Sequence, residues 1–223
     1  MEDPGKAAIA RRLWVAVFAL TALVLIAGGF AYYCAEREHV RQEKYQEIAA
    51  IAALKAGQIS EWRRERLFDA HRAASGPFIS KAVADWLREP ADPDLRAELQ
   101  AWLQLEQDGS VQSDVLVLDP DGRVLLSLVP EPDPLSPAGR RALEAATTGG
   151  EAALSDFYRC PQGRVHLDAV ALVKDLEGRP LAALVMRSNA DDVLYPLIQS
   201  WPTPSRTAET LLVTVEGDRV LYL

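Results

Sequence analysis

The chain changes its hydrophobic rhythm several times, and the first stretch has no polar rhythm at all. Leu13 to Tyr33 reads LWVAVFALTALVLIAGGFAYY and carries no charge. A helix rises about 1.5 Å per residue, so this run reaches roughly 30 Å, the thickness of a bilayer core. Lys6, Arg11 and Arg12 precede it. By the positive-inside rule the N-terminus stays in the cytoplasm. The residues that follow are then extracytoplasmic, periplasmic if the membrane is a bacterial inner membrane. Trp14 and the Tyr32–Tyr33 pair fall where interfacial aromatics sit. A cleaved signal peptide has a shorter apolar region and a small-x-small cleavage site, and Phe30-Ala31-Tyr32-Tyr33-Cys34-Ala35 offers none. Tyr33 is also too bulky to precede a lipoprotein cysteine. An uncleaved anchor is expected.

From Glu36 to about Ala74 the pattern becomes helical. Tyr45, Ile48, Ile51, Ala52, Ile59, Trp62 and Ala70 recur at steps of three, four and seven among many charges. This predicts a long helix that continues the anchor outward and needs a partner for its apolar stripe. The partner is a second copy in a coiled coil or a sheet of the same chain. Ser75-Gly76-Pro77 breaks the helix. A short helix over Phe78–Leu87 follows, then a third opened by Asp92-Pro93, with Asp as cap and Pro at the first helical position. Asp108-Gly109 is its expected end.

Period two then replaces period 3.6. Val115–Leu118 and Arg123–Leu128 flank Asp119-Pro120-Asp121-Gly122, a strong hairpin signal. Ser136-Pro137 caps a helix to about Thr147. Three more strands are expected over Ala152–Tyr158, Val165–Val173 and Leu181–Arg187, then a helix over Ala190–Ser200 stopped by Trp201-Pro202. The fold class is α+β: a transmembrane helix running into a long helix that packs on a PAS-like, five-stranded antiparallel sheet with helices on one face. The last residues, Thr210–Leu223, repeat the rhythm of Val115–Leu128, with Arg219-Val220-Leu221 matching Arg123-Val124-Leu125. One hairpin makes no stable domain, so the start of a second, truncated module is expected. Packing of this hairpin on the first domain is the alternative. The resulting organisation is 1–12 cytoplasmic, 13–33 transmembrane, 34–108 helical, 109–202 sheet domain and 203–223 second module.

Composition narrows the function. A formal net charge of −8 argues against nucleic acid, which requires a basic footprint. The two cysteines, Cys34 and Cys160, form no disulfide framework, and neither has a neighbour at metal-ligand spacing. No nucleophile elbow, phosphate loop or HExxH motif occurs. Neither an enzyme, a metal nor a cofactor is indicated.

The run SDFYRCPQGRVHLDAVALVKDLEGRPLAALVMRSN, together with the anchor and the outer helix, resembles the extracytoplasmic double Cache sensors of bacterial membrane receptors. The stretch LYPLIQSWP, with TAETLLV after it, is similar to the joint between the two modules in sensor histidine kinases and diguanylate cyclases. The resemblance implies a PAS-like fold and an N-terminal fragment of a longer receptor. A second module, a second transmembrane helix and a cytoplasmic output domain would follow. It also implies a small ligand. The family's amino-acid pattern places Arg-x-Trp-Tyr before the pocket strands. Here the comparable residues are Gly139-Arg140-Arg141-Ala142, and Arg187-Ser188-Asn189 stands where an acidic residue would close the last strand. α-Amino acids held in that manner are therefore not expected.

Alternation in Val165–Val173 puts His166 and Asp168 on one face with Val170 and Leu172, opposite Val165, Leu167, Ala169, Ala171 and Val173. One face is expected to pack on the long helix and the other to line a pocket. Tyr158, Arg159, His166, Asp168, Arg187 and Asn189 are the candidate ligand-binding residues. An Arg and a His beside a Tyr suit a small carboxylate or similar anion. The plainer reading is a set of strand-end polar residues, solvated or paired, such as Asp168 with Arg159. The expected function is a membrane-anchored sensor that binds a small molecule and signals through its transmembrane helix. The alternative is an anchored module that dimerises or binds protein through the long helix.

Overall fold

A computed structural model describes residues 4–108, 114–150, 152–200, 210–216 and 219–222. The first element, α1 (Pro4–Ala74), is the fused helix that the sequence predicts, although it begins before the apolar span. The chain divides into two units, 1–54 and 55–223. The described residues of the first are helix alone. Leu13, Trp14, Phe18, Leu25 and Phe30 are all exposed on it. Among the described residues α1 is the one helix long and apolar enough to cross a membrane.

The second unit begins with the end of α1 and continues with α2 (Pro77–Arg88) and α3 (Pro93–Asp108). Asp92 caps α3 as expected, its carboxylate accepting from the Asp94 N–H at 2.8 Å. Then come β1 (Asp114–Leu118), β2 (Val124–Ser127), α4 (Pro137–Gly149), β3 (Ala152–Leu154), β4 (Tyr158–Arg159), β5 (Val165–Lys174), β6 (Pro180–Asn189) and α5 (Leu194–Gln199). Their sheet runs β2-β1-β6-β5-β3, antiparallel throughout, with β4 also paired to β5. Five strands were expected in this sheet and six are present among the described residues, because the predicted third strand is broken at Ser155. Its Oγ accepts the Asp168 N–H at 2.9 Å, taking the place of a ladder partner. The β1–β2 turn is set by Asp119, whose carboxylate accepts the Arg123 N–H, and by Gly122 at φ 82°.

The core lies on both sides of this sheet. On one side Val115, Val117, Ala169, Ala171, Val173, Leu184 and Met186 meet Ala70 and Ala73 of α1, Val83 and Trp86 of α2, and Leu99 and Leu103 of α3. On the other, Leu116, Leu118, Val170, Leu172, Ala183 and Val185 meet Leu135 and Ala142, Leu143 and Ala146 of α4. This corrects the expectation of helices on one face only. β1 is buried at every position and β5 at all but its last, and strands buried on both faces need a cover on each.

The last helix is shorter than predicted. Asn189 Oδ1 accepts the Asp191 N–H at 3.2 Å, so residues 190–193 form a turn and α5 starts at Leu194. Pro196 is tolerated there because it falls in the first helical turn. Among the described residues, the terminal β7 (Val213–Glu216) and β8 (Arg219–Tyr222) pair only with each other, in the predicted hairpin. The expected stops at Gly109 and Trp201-Pro202, the joint at 203–209 and the turn residues Gly217 and Asp218 lie outside the described residues.

Candidate functional site

Register brings the site together. Arg187 of β6 stands opposite Asp114 of β1 on one side and Asp168 of β5 on the other. The three form a charged row across the sheet, on the face that α4 covers. Strand parity requires this: Asp168 is in phase with Val170, Arg187 with Val185 and Asp114 with Leu116. At β4, Tyr158 stands opposite His166, in the same phase.

The row's centre is a buried ion pair. Arg187 Nε donates to Asp168 Oδ1 at 2.9 Å, and the two side chains are 5% and 0% exposed. Arg187 Nη2 reaches Oδ2 at 3.4 Å, and Nη1 reaches the carbonyl of Asp133 at the same distance, in the loop between β2 and α4 that holds Pro130, Pro132 and Pro134. The Tyr158 hydroxyl donates to the Asp168 carboxylate at 2.9 Å. α4 closes over these groups. Ser136 caps it, Oγ accepting the Gly139 N–H at 2.9 Å, and directs its positive end toward Asp168. A Cβ on Gly139 would lie 2.9 Å from Asp168 Oδ2 and 2.6 Å from Leu135 Cδ1, so the approach requires glycine.

The electrostatics follow from burial. Burial alone would lower the Arg187 guanidinium, but the charge of Asp168 and the bond to it hold its pKa raised. Burial raises the Tyr158 hydroxyl, and the Asp168 charge adds to that. Burial also raises Asp114, with Arg187 opposing. His166 is lowered by burial and then by Arg187. Its residue is 3% exposed, and Nδ1 has no hydrogen-bond partner.

Of the six candidate residues, the structure groups Tyr158, His166, Asp168 and Arg187. Arg159 stands apart from these four. It stands opposite Val165 in the other phase, is exposed, and donates to the Gly163 carbonyl at 2.6 Å. Asp168 therefore pairs with Arg187, not with Arg159. Asn189 neighbours His166 in register but its carboxamide serves the 190–193 turn. Sequence reasoning missed Asp114, Ser155 and Gly139. The signal for Asp114 was faint: a single acid opening an apolar strand, whose meaning depends on the β1–β6 register.

No protein-family model and no curated protein matches the chain. Solved structures do. The ligand-binding domain of the Pseudomonas aeruginosa PAO1 chemoreceptor PctC, in complex with GABA, aligns over 70% of this chain and 64% of its own, at 16% identity and a TM-score of 0.51. The chain shares the fold of that ligand-binding domain. The PctB ligand-binding domain from the same organism, in complex with L-Arg, aligns over 68% of this chain at 17% identity and a TM-score of 0.48. That of the Pseudomonas fluorescens chemoreceptor CtaA, in complex with L-alanine, aligns over 69% at 15% and 0.48. This chain spans 60% of the PctB chain and 63% of the CtaA chain. In this fold the charged row lies on the sheet face beneath α4 and the loop that carries Asp133.

Proposed function

We propose that the chain is the extracytoplasmic sensor region of a membrane receptor, anchored by Leu13–Tyr33, and that a small ligand binds at the row formed by Tyr158, His166, Asp168 and Arg187, with Asp114 beside it. Its job is binding, not catalysis. The observation that carries this reading is the buried polar row itself, with His166 Nδ1 unpartnered inside a fold shared with ligand-binding domains. A core built only for stability has little use for it, since hydrophobic residues of similar volume serve as well or better. Two carboxylates face one guanidinium, so the charge this face lacks is positive. A small cationic or zwitterionic ligand fits that deficit better than the free anion the sequence pointed to, because Arg187 is already engaged by Asp168.

In the full receptor the bulk of the chain lies in the periplasm, the N-terminus in the cytoplasm, and the β7–β8 hairpin opens a second module. Thermal unfolding of the chain in detergent, with amines, amino acids and carboxylates added singly, tests the site. At least one amine-bearing compound should raise Tm, and Asp168→Asn should abolish that rise. A folded protein that no compound stabilises rejects ligand sensing here.

A second reading draws on the helix. Tyr45 and Ile48, one turn apart, are more than half exposed on α1, an apolar patch suited to homodimerisation or to another protein. Oxidative crosslinking through the exposed Cys34 reports it: a crosslinked dimer whose yield holds on dilution supports self-association, and a yield that falls in step with chain concentration is random collision.

A further inference from the structure

The site leaves one buried charge unused. Lys55, on α1, is 7% exposed, unusual for a lysine. Its ammonium donates to the backbone carbonyls of Leu197 and Ser200 and to Ser200 Oγ, the last at 2.9 Å. These oxygens belong to the final turn of α5 and its cap, where helical carbonyls lack partners within the helix and a cation meets the negative end of the dipole. One side chain of α1 thus closes the end of another helix.

The other end of α5 begins at the charged row. Asn189, the last residue of β6, stands opposite His166, and the Ala190 N–H donates to the Val165 carbonyl at 2.8 Å. Leu194 and Ile198 of α5 pack with Val165 and Leu167 of β5, with Phe157 and with Trp62 of α1. Trp62 stacks on Phe157 at 6.2 Å between ring centroids and 4° between planes. β5 therefore presents His166 and Asp168 to the row, and the alternating residues Val165 and Leu167 to α5 and α1. The row and Lys55 are joined through one strand end and one short helix.

We propose that Lys55 is a latch: it holds the end of α5 against α1, and a rearrangement of the charged row is passed along the β5–β6 ends to α5, where it opens or closes this contact. The latch has two discrete states, ammonium on the α5 carbonyls or ammonium in water, which is what a transmitted signal requires. It rests on the sensor reading for what drives the row, but its test uses no ligand, so the two fail separately.

The test is lysine reactivity. The full chain is treated with formaldehyde and a borane reductant, and methylation at Lys55 is followed by mass spectrometry against the exposed Lys44 and Lys81. Lys55 should react far more slowly than either in the wild type. Asp168→Asn, which disturbs the row without touching α5, should speed Lys55 about tenfold through more frequent local opening. Tyr158→Phe removes one hydrogen bond from the row and should act in the same direction but less. It carries the test if Asp168→Asn does not fold. Leu99→Val loosens the apolar face on α3 and should leave the Lys55 rate unchanged. An unchanged Lys55 rate in folded row variants overturns the latch. So does an equal acceleration in Leu99→Val, since the label would then report general loosening.

Discussion

The two faces of β5 differ in what they ask of their cover. Ala169, Ala171 and Val173 meet α1, α2 and α3 through apolar contact alone. Val170 and Leu172 meet α4 in the same way, but two residues along the strand Asp168 replaces the aliphatic side chain, and an ion pair, a tyrosine and a histidine stand where packing would otherwise continue. Apolar contact is non-directional and tolerant of shape. A buried charged row has to be satisfied bond by bond, and it fails abruptly when one partner is lost. The face under α1 to α3 is built for stability, whereas the face under α4 is built around one geometry.

Removing Arg187 should separate the faces most sharply. Arg187→Met keeps the volume but leaves Asp168, fully buried, without its counter-ion, and such a loss costs about 3–5 kcal/mol. Replacing both partners, Asp168→Leu with Arg187→Met, should recover most of that, because the fully buried carboxylate goes together with its counter-ion and only Asp114 loses the opposing guanidinium. Urea unfolding of the two single variants and the double measures the coupling. On the other face, Leu99→Val should cost about 1 kcal/mol and show no rescue of this kind. If the double variant is as unstable as Arg187→Met, the row is not the self-contained unit described.

The closure of α4 on the row should give the next largest effect. In Gly139→Ala the added methyl meets Leu135 and the Asp168 carboxylate, and overpacking of this sort costs about 1–3 kcal/mol. Gly149, at the other end of the same helix, has nothing within 4 Å of an added Cβ. Gly149→Ala should be neutral or stabilising by about 0.4–1 kcal/mol. A Gly139→Ala variant as stable as Gly149→Ala would show that α4 does not sit down on the row.

What the sequence made legible tracks the range of the interactions. The helix of α1, the Asp92 and Ser136 caps, the Asp119–Gly122 turn and the terminal hairpin all rest on residues a few positions apart, and each appears as read. The parity of β5 was legible too, since alternation is local. The partner of Asp168 was not. Arg159 is nine residues away and Arg187 nineteen, and only the β5–β6 register, together with the opposite phase of Arg159, selects the second. The cover of the second face was missed for the same reason. Ala142, Leu143 and Ala146 form a modest apolar stripe that does not say which face it meets, and Gly139 acquires its meaning only from a carboxylate contributed by another strand.

The smallest effect, and the most specific, is the dependence on pH. His166 is held below its ordinary value of 6.5. The unfolded chain therefore binds a proton there before the folded one does. Its contribution is present above pH 6.5 and is lost as pH falls through the lowered folded value. Asp114 has the opposite sign. Its folded pKa is raised above 3.8, so its contribution is full below 3.8 and is lost as pH rises through the raised value. At neutral pH Asp114 is then a cost, which Asp114→Asn should relieve. That variant should be more stable than the wild type at pH 7.5, with an advantage that shrinks as pH is lowered to 4.5. His166→Phe should flatten the loss of stability between pH 7.5 and 5. Leu99→Val, in the apolar cluster of the opposite face, should shift the urea midpoint equally at every pH. An Asp114→Asn advantage that did not change with pH would mean that the carboxyl does not titrate in the row, and the polar face would then differ from the apolar one in shape alone.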